Sequence, residues 1–416
     1  MSGPSLSRRL GVADAVFIGL GSMIGAGVFA VWAPAAQAAG AGLLAGLAIA
    51  AVVAFGNATS SAQLAAAHPT SGGTYAYGRA ELGPWWGFIA GWGFVIGKIA
   101  SCAAMALTFA AYAAPPGWER PVGIVAVAAL VVVNGFGITR TAQLTRVIVV
   151  AVLAVLAVAL AAMVAAPSAV AGPDLAEWPG GVYGVLQSAG LVFFAFAGYA
   201  RIATLGEEVR DPARTIPRAI VIAFVAALVV YAGVGVGILA TLGPATTAGS
   251  AQPVAAAAEA SGWAWTGPVV RVGAAAASLG ALLALIAGVG RTAFAMAREG
   301  DLPRPLAAVH PRWRVPRRAE YVVGVAVIAL VALVDLRGAI GFSSFGVLLY
   351  YFVANLAALR QRAEARRYPR LLAVVGAGGC LVLAVTLPWQ SVVAGVVVAV
   401  AGLAYRALRL RLTTGA

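Results

Sequence analysis

The chain has 416 residues, 62% of them hydrophobic and 10% charged, with a formal net charge of +14. So few polar residues cannot cover so large an apolar surface, which excludes a soluble globule. Apolar runs of about 20 residues, each able to cross roughly 30 Å of hydrocarbon as helix, recur along the chain and exclude a barrel of short alternating strands; the class is all-α integral membrane.

The N-terminal "MSGPSLSRRLGVAD" is short and polar, and no cleavable signal is predicted after it. Twelve spans follow, at 14–38, 40–67, 84–113, 121–137, 143–166, 182–206, 216–241, 266–297, 320–335, 339–360, 370–387 and 390–407. Span 1, "DAVFIGLGSMIGAGVFAVWAPAA", carries Gly19, Gly21, Gly25 and Gly27 in mid-membrane. Span 3 holds Lys98, the only lysine in the chain. Span 6, "SAGLVFFAFAGYARIATLGEE", sets Gly190, Gly198 and Gly206 around an aromatic cluster. Outward loops such as 241–268 are rich in Pro, Gly, Ala and small polar residues and suit surface connections with short helices. Cys102 and Cys380 fall inside apolar segments and suit packing, while His68 and His310 lie far apart in loops. No metal set, cofactor site or nucleophile–base constellation can be assembled, so an enzyme is not expected.

The positive charge is distributed by topology. With the N-terminus cytoplasmic, the inward segments carry Arg8, Arg9, Arg79, Arg140, Arg146 and the arginines of 210–218, 298–318, 360–370 and 406–411. The outward side keeps Arg120, Arg271 and Arg337. This is the positive-inside pattern of a multi-pass cytoplasmic-membrane protein with both termini inside and lipid, rather than nucleic acid, as its basic partner.

The centres of the two glycine-rich spans, Gly25 and Gly198, lie about 170 residues apart, the offset that two five-helix halves give. Paired interrupted spans are the best sequence pointer to a transporter site. Such a break frees backbone N–H groups at the start of one half-helix and carbonyls at the end of the other, enough to hold both ends of an α-amino acid without a charged side chain. Close helix packing is the competing explanation for small residues, and Gly21 with Gly25 fits it. Gly25-Ala26-Gly27, with glycines two apart, favours unwinding.

These residues bring out a resemblance. "GLGSMIGAGVF", "PTSGGTYAYGRAELGPWWGFIAGW", "NGFGITRTAQL", "FFAFAGYARIATLGEEVRDPARTIPRAI" and "RTAFAMAREGDLPRPLAAVHPRWRVP" occur in order between Gly19 and Pro316. The chain resembles the amino acid permeases of the amino acid-polyamine-organocation superfamily. The resemblance implies a single transporter domain of the leucine-transporter type: a 5+5 inverted repeat, about 14–166 and 182–360, plus two extra helices at 370–407. It implies alternating access and amino acid substrates. The carboxylate would meet the amides of Gly25, Ala26 and Gly27, with the backbone of Met23 and Ile24 alongside; the ammonium would meet carbonyls of Phe194, Ala195 and Ala197, with Phe196 or Tyr199 as a gate.

Two departures matter. Proton-coupled members carry a lysine in span 5 near the position of Val152, yet span 5 here has none. Many members are acidic where Ala200 falls, and here Arg201 follows it. Span 8 offers only Ser278 as a hydroxyl before Arg291, so sodium coupling is not expected. Lys98 lies about 20 Å of helix from either end of its span, too far for its stem to reach the interface. It shares a face with Gly91, Phe94, Ser101, Cys102, Met105 and Thr108. An intramembrane amine can exchange a proton, so Lys98 is the candidate coupling group, with Ser278 as a neighbour to seek; a structural lysine satisfied by helix-end carbonyls is the alternative. Arg201, Glu207, Glu208 and Arg291 are gate candidates, with an interfacial Glu–Arg210 pair as the alternative reading. An Arg201 facing the site would favour acidic substrates. The expected function is proton-coupled amino acid uptake; an exchanger or uniporter without ion coupling and a transporter-like amino acid sensor are the alternatives.

Overall fold

The computed structural model describes residues 10–70, 72–137, 142–166, 178–313 and 315–414. Arg8, Arg9, Arg140, Arg314 and residues 167–177 lie outside the described residues. In chain order the helices are α1 (Val12–Met23), α2 (Gly27–Ala30), α3 (Trp32–Ala39), α4 (Leu43–Ala67), α5 (Gly73–Leu82), α6 (Pro84–Ala113), α7 (Glu119–Gly135), α8 (Ala142–Ala165) and α9 (Gly181–Phe196). They continue with α10 (Ala200–Ala203), α11 (Pro212–Gly249), α12 (Pro253–Glu259), α13 (Thr266–Arg298), α14 (Arg317–Leu333), α15 (Leu336–Arg360), α16 (Arg370–Thr386) and α17 (Trp389–Thr414). A lone parallel bridge joins Leu10 to Val209.

Among the described residues, nine helical runs are long and apolar enough to cross a membrane. Helices α7, α14 and α16 have 17 residues each, about 26 Å at 1.5 Å per residue, which sets them just under that length. The span expected at 216–241 is longer: α11 runs to Gly249 with a kink at Gly243 (φ 73°), where Pro244 starts a new helical segment. Helix α5 was not expected from the sequence.

Helix α6 forms the centre of the bundle. It packs along α15, where small residues bring the backbones together: a Cβ at Gly346 would stand 2.7 Å from the Gly97 Cα. Its other faces meet α13, α5, α7 and α14. Exposed valines such as Val147, Val229 and Val325 decorate the outer helices, as lipid contact requires.

One face of the bundle gathers Leu10 and the C-terminal end of α17. The Leu10 N–H donates to the Glu208 carbonyl, and the Arg210 N–H donates to the Leu10 carbonyl. Helix α5 joins this layer through the Tyr77 hydroxyl, which donates to the Ala203 carbonyl at the end of α10. Arg409, near the C-terminal end of α17, donates to the Leu302 carbonyl after α13. The opposite face carries α12 together with Arg120, Arg271 and Arg337, each bonded to local carbonyl or side-chain oxygens.

Candidate functional site

The first interruption is a true break. Helix α1 ends at Met23, residues 24–26 leave the helical ladder, and α2 starts at Gly27. The Ile24 N–H closes the last bond of α1 onto Leu20, and the Phe29 N–H opens the next ladder onto Ala26. The amides of Gly25, Ala26 and Gly27 therefore precede the first turn of the second segment, as the unwinding argument requires.

The second interruption is gentler. Helix α9 tightens into a 3-10 turn at Ala197–Tyr199 and resumes as α10. The Ala197 N–H donates to the Phe194 carbonyl, so the chain never leaves helical space.

The two interruptions are in direct contact. A Cβ on Gly27 would lie 2.8 Å from the Ala195 Cα, and one on Gly198 would lie 2.4 Å from the Ser22 carbonyl carbon. All the site residues expected on these helices, Met23 through Gly27, Phe194 through Ala197 and Tyr199, are buried. In this structure the two interruptions are packed directly against each other.

Two tyrosines that the sequence reading missed organise the contact. The Tyr231 hydroxyl, from α11, lies 2.7 Å from the Met23 carbonyl oxygen and 2.9 Å from that of Ala195, so its single proton bridges the two broken helices. The Tyr351 hydroxyl, from α15, donates to the Ala197 carbonyl at 3.3 Å. A tyrosine inside an apolar run reads as packing until its hydroxyl is asked for a partner; that demand is the signal that could have found both. Phe196 packs on Phe224 and Tyr231 of α11 at ring distances of 5.4 and 5.1 Å, and Tyr199 packs on Tyr351 at 4.9 Å.

Lys98 lies midway along α6, and its Nζ donates to the Ala197 carbonyl at 3.3 Å. The lysine thus meets the second interruption, whereas the coupling hypothesis looked for it near the first or beside Ser278. Neighbouring Ser101 bonds the Ser343 hydroxyl at 2.6 Å. Ser278 is fully buried, and its hydroxyl has no hydrogen-bond partner among the described residues. Between α1, α8 and α13 lies a shallow apolar groove lined by Ile24, Gly25, Val152 and Ala277 among others. Val152 occupies this groove, where the family pattern called for a lysine. Cys102 and Cys380 are free and buried.

Three of the gate candidates converge. Arg201 is exposed and donates to the Thr204 hydroxyl at 3.1 Å, and its charge is felt together with those of Glu208 and Arg291. Glu207 is exposed one residue before Glu208. The guanidinium of Arg201 therefore lies on the terminal side of the second interruption, away from the contact between the breaks.

A second polar cluster on that side went unread. Asp301, 5% exposed, accepts from the Tyr75 hydroxyl at 2.8 Å, from Arg79 at 3.1 Å and from Arg406. The Arg406 guanidinium also covers the rings of Trp85 and Phe88 at 5.1 and 4.9 Å. Burial, and then the Asp301 carboxylate, hold the Tyr75 phenol well above its ordinary pKa, so it stays a donor. This clasp joins α5, the segment after α13 and α17.

The chain is 58% identical over 412 residues to an uncharacterized transporter of Mycobacterium tuberculosis, covering 98% of this chain and 92% of that one. It is 27% identical over 426 residues to a branched-chain amino acid permease of Bacillus subtilis, covering 94% and 90% of the two chains. It is 26% identical over 436 residues to a methylthioribose transporter of the same organism, covering 94% and 91%. The family profile described as amino acid permease matches residues 10–405. With its interrupted, touching helices and its apolar bundle, the chain belongs to the amino acid permease family, a family of membrane transporters and not of enzymes.

Proposed function

We propose that the protein moves amino acids across the cytoplasmic membrane by alternating access. In this reading it is one transporter domain of twelve spans, an inverted 5+5 repeat over about 14–166 and 182–360 followed by two further helices at about 370–407. The arginine-rich face with both chain ends is the cytoplasmic face. The observation that carries the reading is the meeting of two interrupted helices, one offering amides at Gly25–Gly27 and the other carbonyls at Phe194–Ala197. When the breaks part, the amides take the substrate carboxylate and the carbonyls take its ammonium, with Phe196 and Tyr199 closing over it. Arg201, Glu207, Glu208 and Arg291 form the inner gate. The names of the relatives bring a branched-chain amino acid and methylthioribose to this chain as substrate classes; a clamp with both donors and acceptors favours the amino acid.

For coupling, proton-driven uptake through Lys98 stands beside transport without ion coupling. The Lys98 bond to Ala197, on the ammonium side of the site, favours the second. Counterflow of labelled amino acids into proteoliposomes tests the transport reading, and saturable exchange of at least one of the twenty is expected. Absence of any flux from correctly folded protein would reject it. An imposed proton gradient should not drive accumulation. If it does so in wild type and fails in Lys98→Ala, proton coupling replaces the uncoupled reading.

A further inference from the structure

We propose that Lys98 is a tethered stand-in for the substrate ammonium, one that lets the transporter close and return without cargo. The protein would then perform net transport rather than obligate exchange. This rests on the reading above, in which the carbonyls of Phe194, Ala195 and Ala197 receive an ammonium group.

Those three carbonyls are all engaged. Phe194 accepts from the Ala197 N–H, Ala195 faces the Tyr231 hydroxyl at 2.9 Å, and Ala197 accepts from Tyr351 and Lys98, each at 3.3 Å. A carbonyl has two lone pairs, so an incoming ammonium reaches Ala197 only if one donor leaves. The tyrosines are caged. The Tyr351 ring sits against Phe193, Tyr199 and Tyr350 at 5.9, 4.9 and 5.1 Å, and Tyr231 sits against Phe196 at 5.1 Å. Lys98 is held differently, by a flexible four-carbon stem and one bond longer than the usual 2.9 Å or so. It is the donor that can step aside.

Its chemistry matches the group it would replace. Lys98 is 7% exposed in mid-helix, and among the described residues no carboxylate pairs with it. An intramembrane ammonium is costly and needs a partner; this one finds it at the Ala197 carbonyl, where α9 gives way to the 3-10 turn. With Lys98 in that place the two breaks lie in van der Waals contact, Gly27 on Ala195 and Gly198 on Ser22. The closed packing and the lysine bond therefore coexist, as a substrate-free return step needs.

The test compares two fluxes in proteoliposomes of the full-length protein, using a ¹⁴C-labelled mixture of the twenty L-amino acids. One vesicle population is substrate-free, so uptake is net. The other is preloaded with the unlabelled mixture, so uptake is exchange. Wild type should show both. Lys98→Met should keep exchange and lose net uptake by about tenfold or more, the scale of one hydrogen bond to a charged group. Lys98→Gln, which keeps an N–H donor without the charge, should show the same split and serves if the methionine variant folds poorly. Wild-type protein that exchanges without net uptake overturns the inference whatever the variants do. So does a variant that keeps the wild-type ratio of the two fluxes, or monodisperse variants that lose both together. No flux from wild type in either mode instead removes the amino acid transport reading itself.

Discussion

The two interrupted helices solve the same problem in opposite ways. The first opens fully, with residues 24–26 outside the helix and its amides ahead of the next turn; the second tightens into a 3-10 turn and has its carbonyls taken by Tyr231, Tyr351 and Lys98. The neighbours differ as well: the first break lines an apolar groove with Val152 and Ala277, Tyr231 reaches both breaks, and Tyr351 and Lys98 reach the second. Ligand entry at either break would need the two to part, because Gly27 packs on Ala195 and Gly198 on Ser22.

The largest expected effect lies away from both breaks and serves as a control for them. Asp301→Asn uncouples Arg406 and Arg79 in a buried cluster and should cost about 3–5 kcal/mol in a reversible unfolding measurement. The ratio of net uptake to exchange in the surviving protein should not change. Gly198→Val strikes the contact between the breaks, because the added Cβ meets Ser22 backbone at 2.4 Å. Overpacking there should cost about 1–3 kcal/mol and abolish flux in vesicles, since the two breaks can no longer close on each other. Tyr231→Phe removes the bridging hydroxyl and leaves the buried Met23 and Ala195 carbonyls short of a donor, about 1–3 kcal/mol by thermal unfolding. Tyr351→Phe is the mildest: the lost bond is longer and Lys98 still serves Ala197, so about 0.5–1.5 kcal/mol is expected, with flux retained.

The fold was legible wherever apolar length decided it. The span expected at 84–113 coincides with α6, and the first break falls at the glycines that suggested it, whereas Gly198 marks a 3-10 turn within continuous helix. Helix α5 was not legible, because "GTYAYGRAEL" has no long apolar period; it is held by what Tyr75, Tyr77 and Arg79 reach across the chain. The kink at Gly243 was read as a loop because Pro244 interrupts the apolar run there, although the helix resumes after it. In the site, the backbone groups could be named in advance because glycine spacing exposes them. Tyr231 and Tyr351 could not, since they join the breaks from 36 and 154 residues away from their carbonyl partners. Lys98 was recognised as out of place, but which break it served depended on how α6 crosses the second interrupted helix, a packing fact that the span itself does not encode.

In the proposed mechanism the site reads the two ends of an amino acid through backbone groups of the two breaks. Thermal unfolding of the purified protein with each of the twenty L-amino acids, and with the des-amino and methyl-ester analogues of any that bind, tests this most directly. A ligand at about 100 times its Kd should stabilise by about 2.7 kcal/mol, and both analogues should lose most of that effect. If no amino acid shifts the transition, or if the analogues stabilise as well as the parent, the two-ended clamp is contradicted.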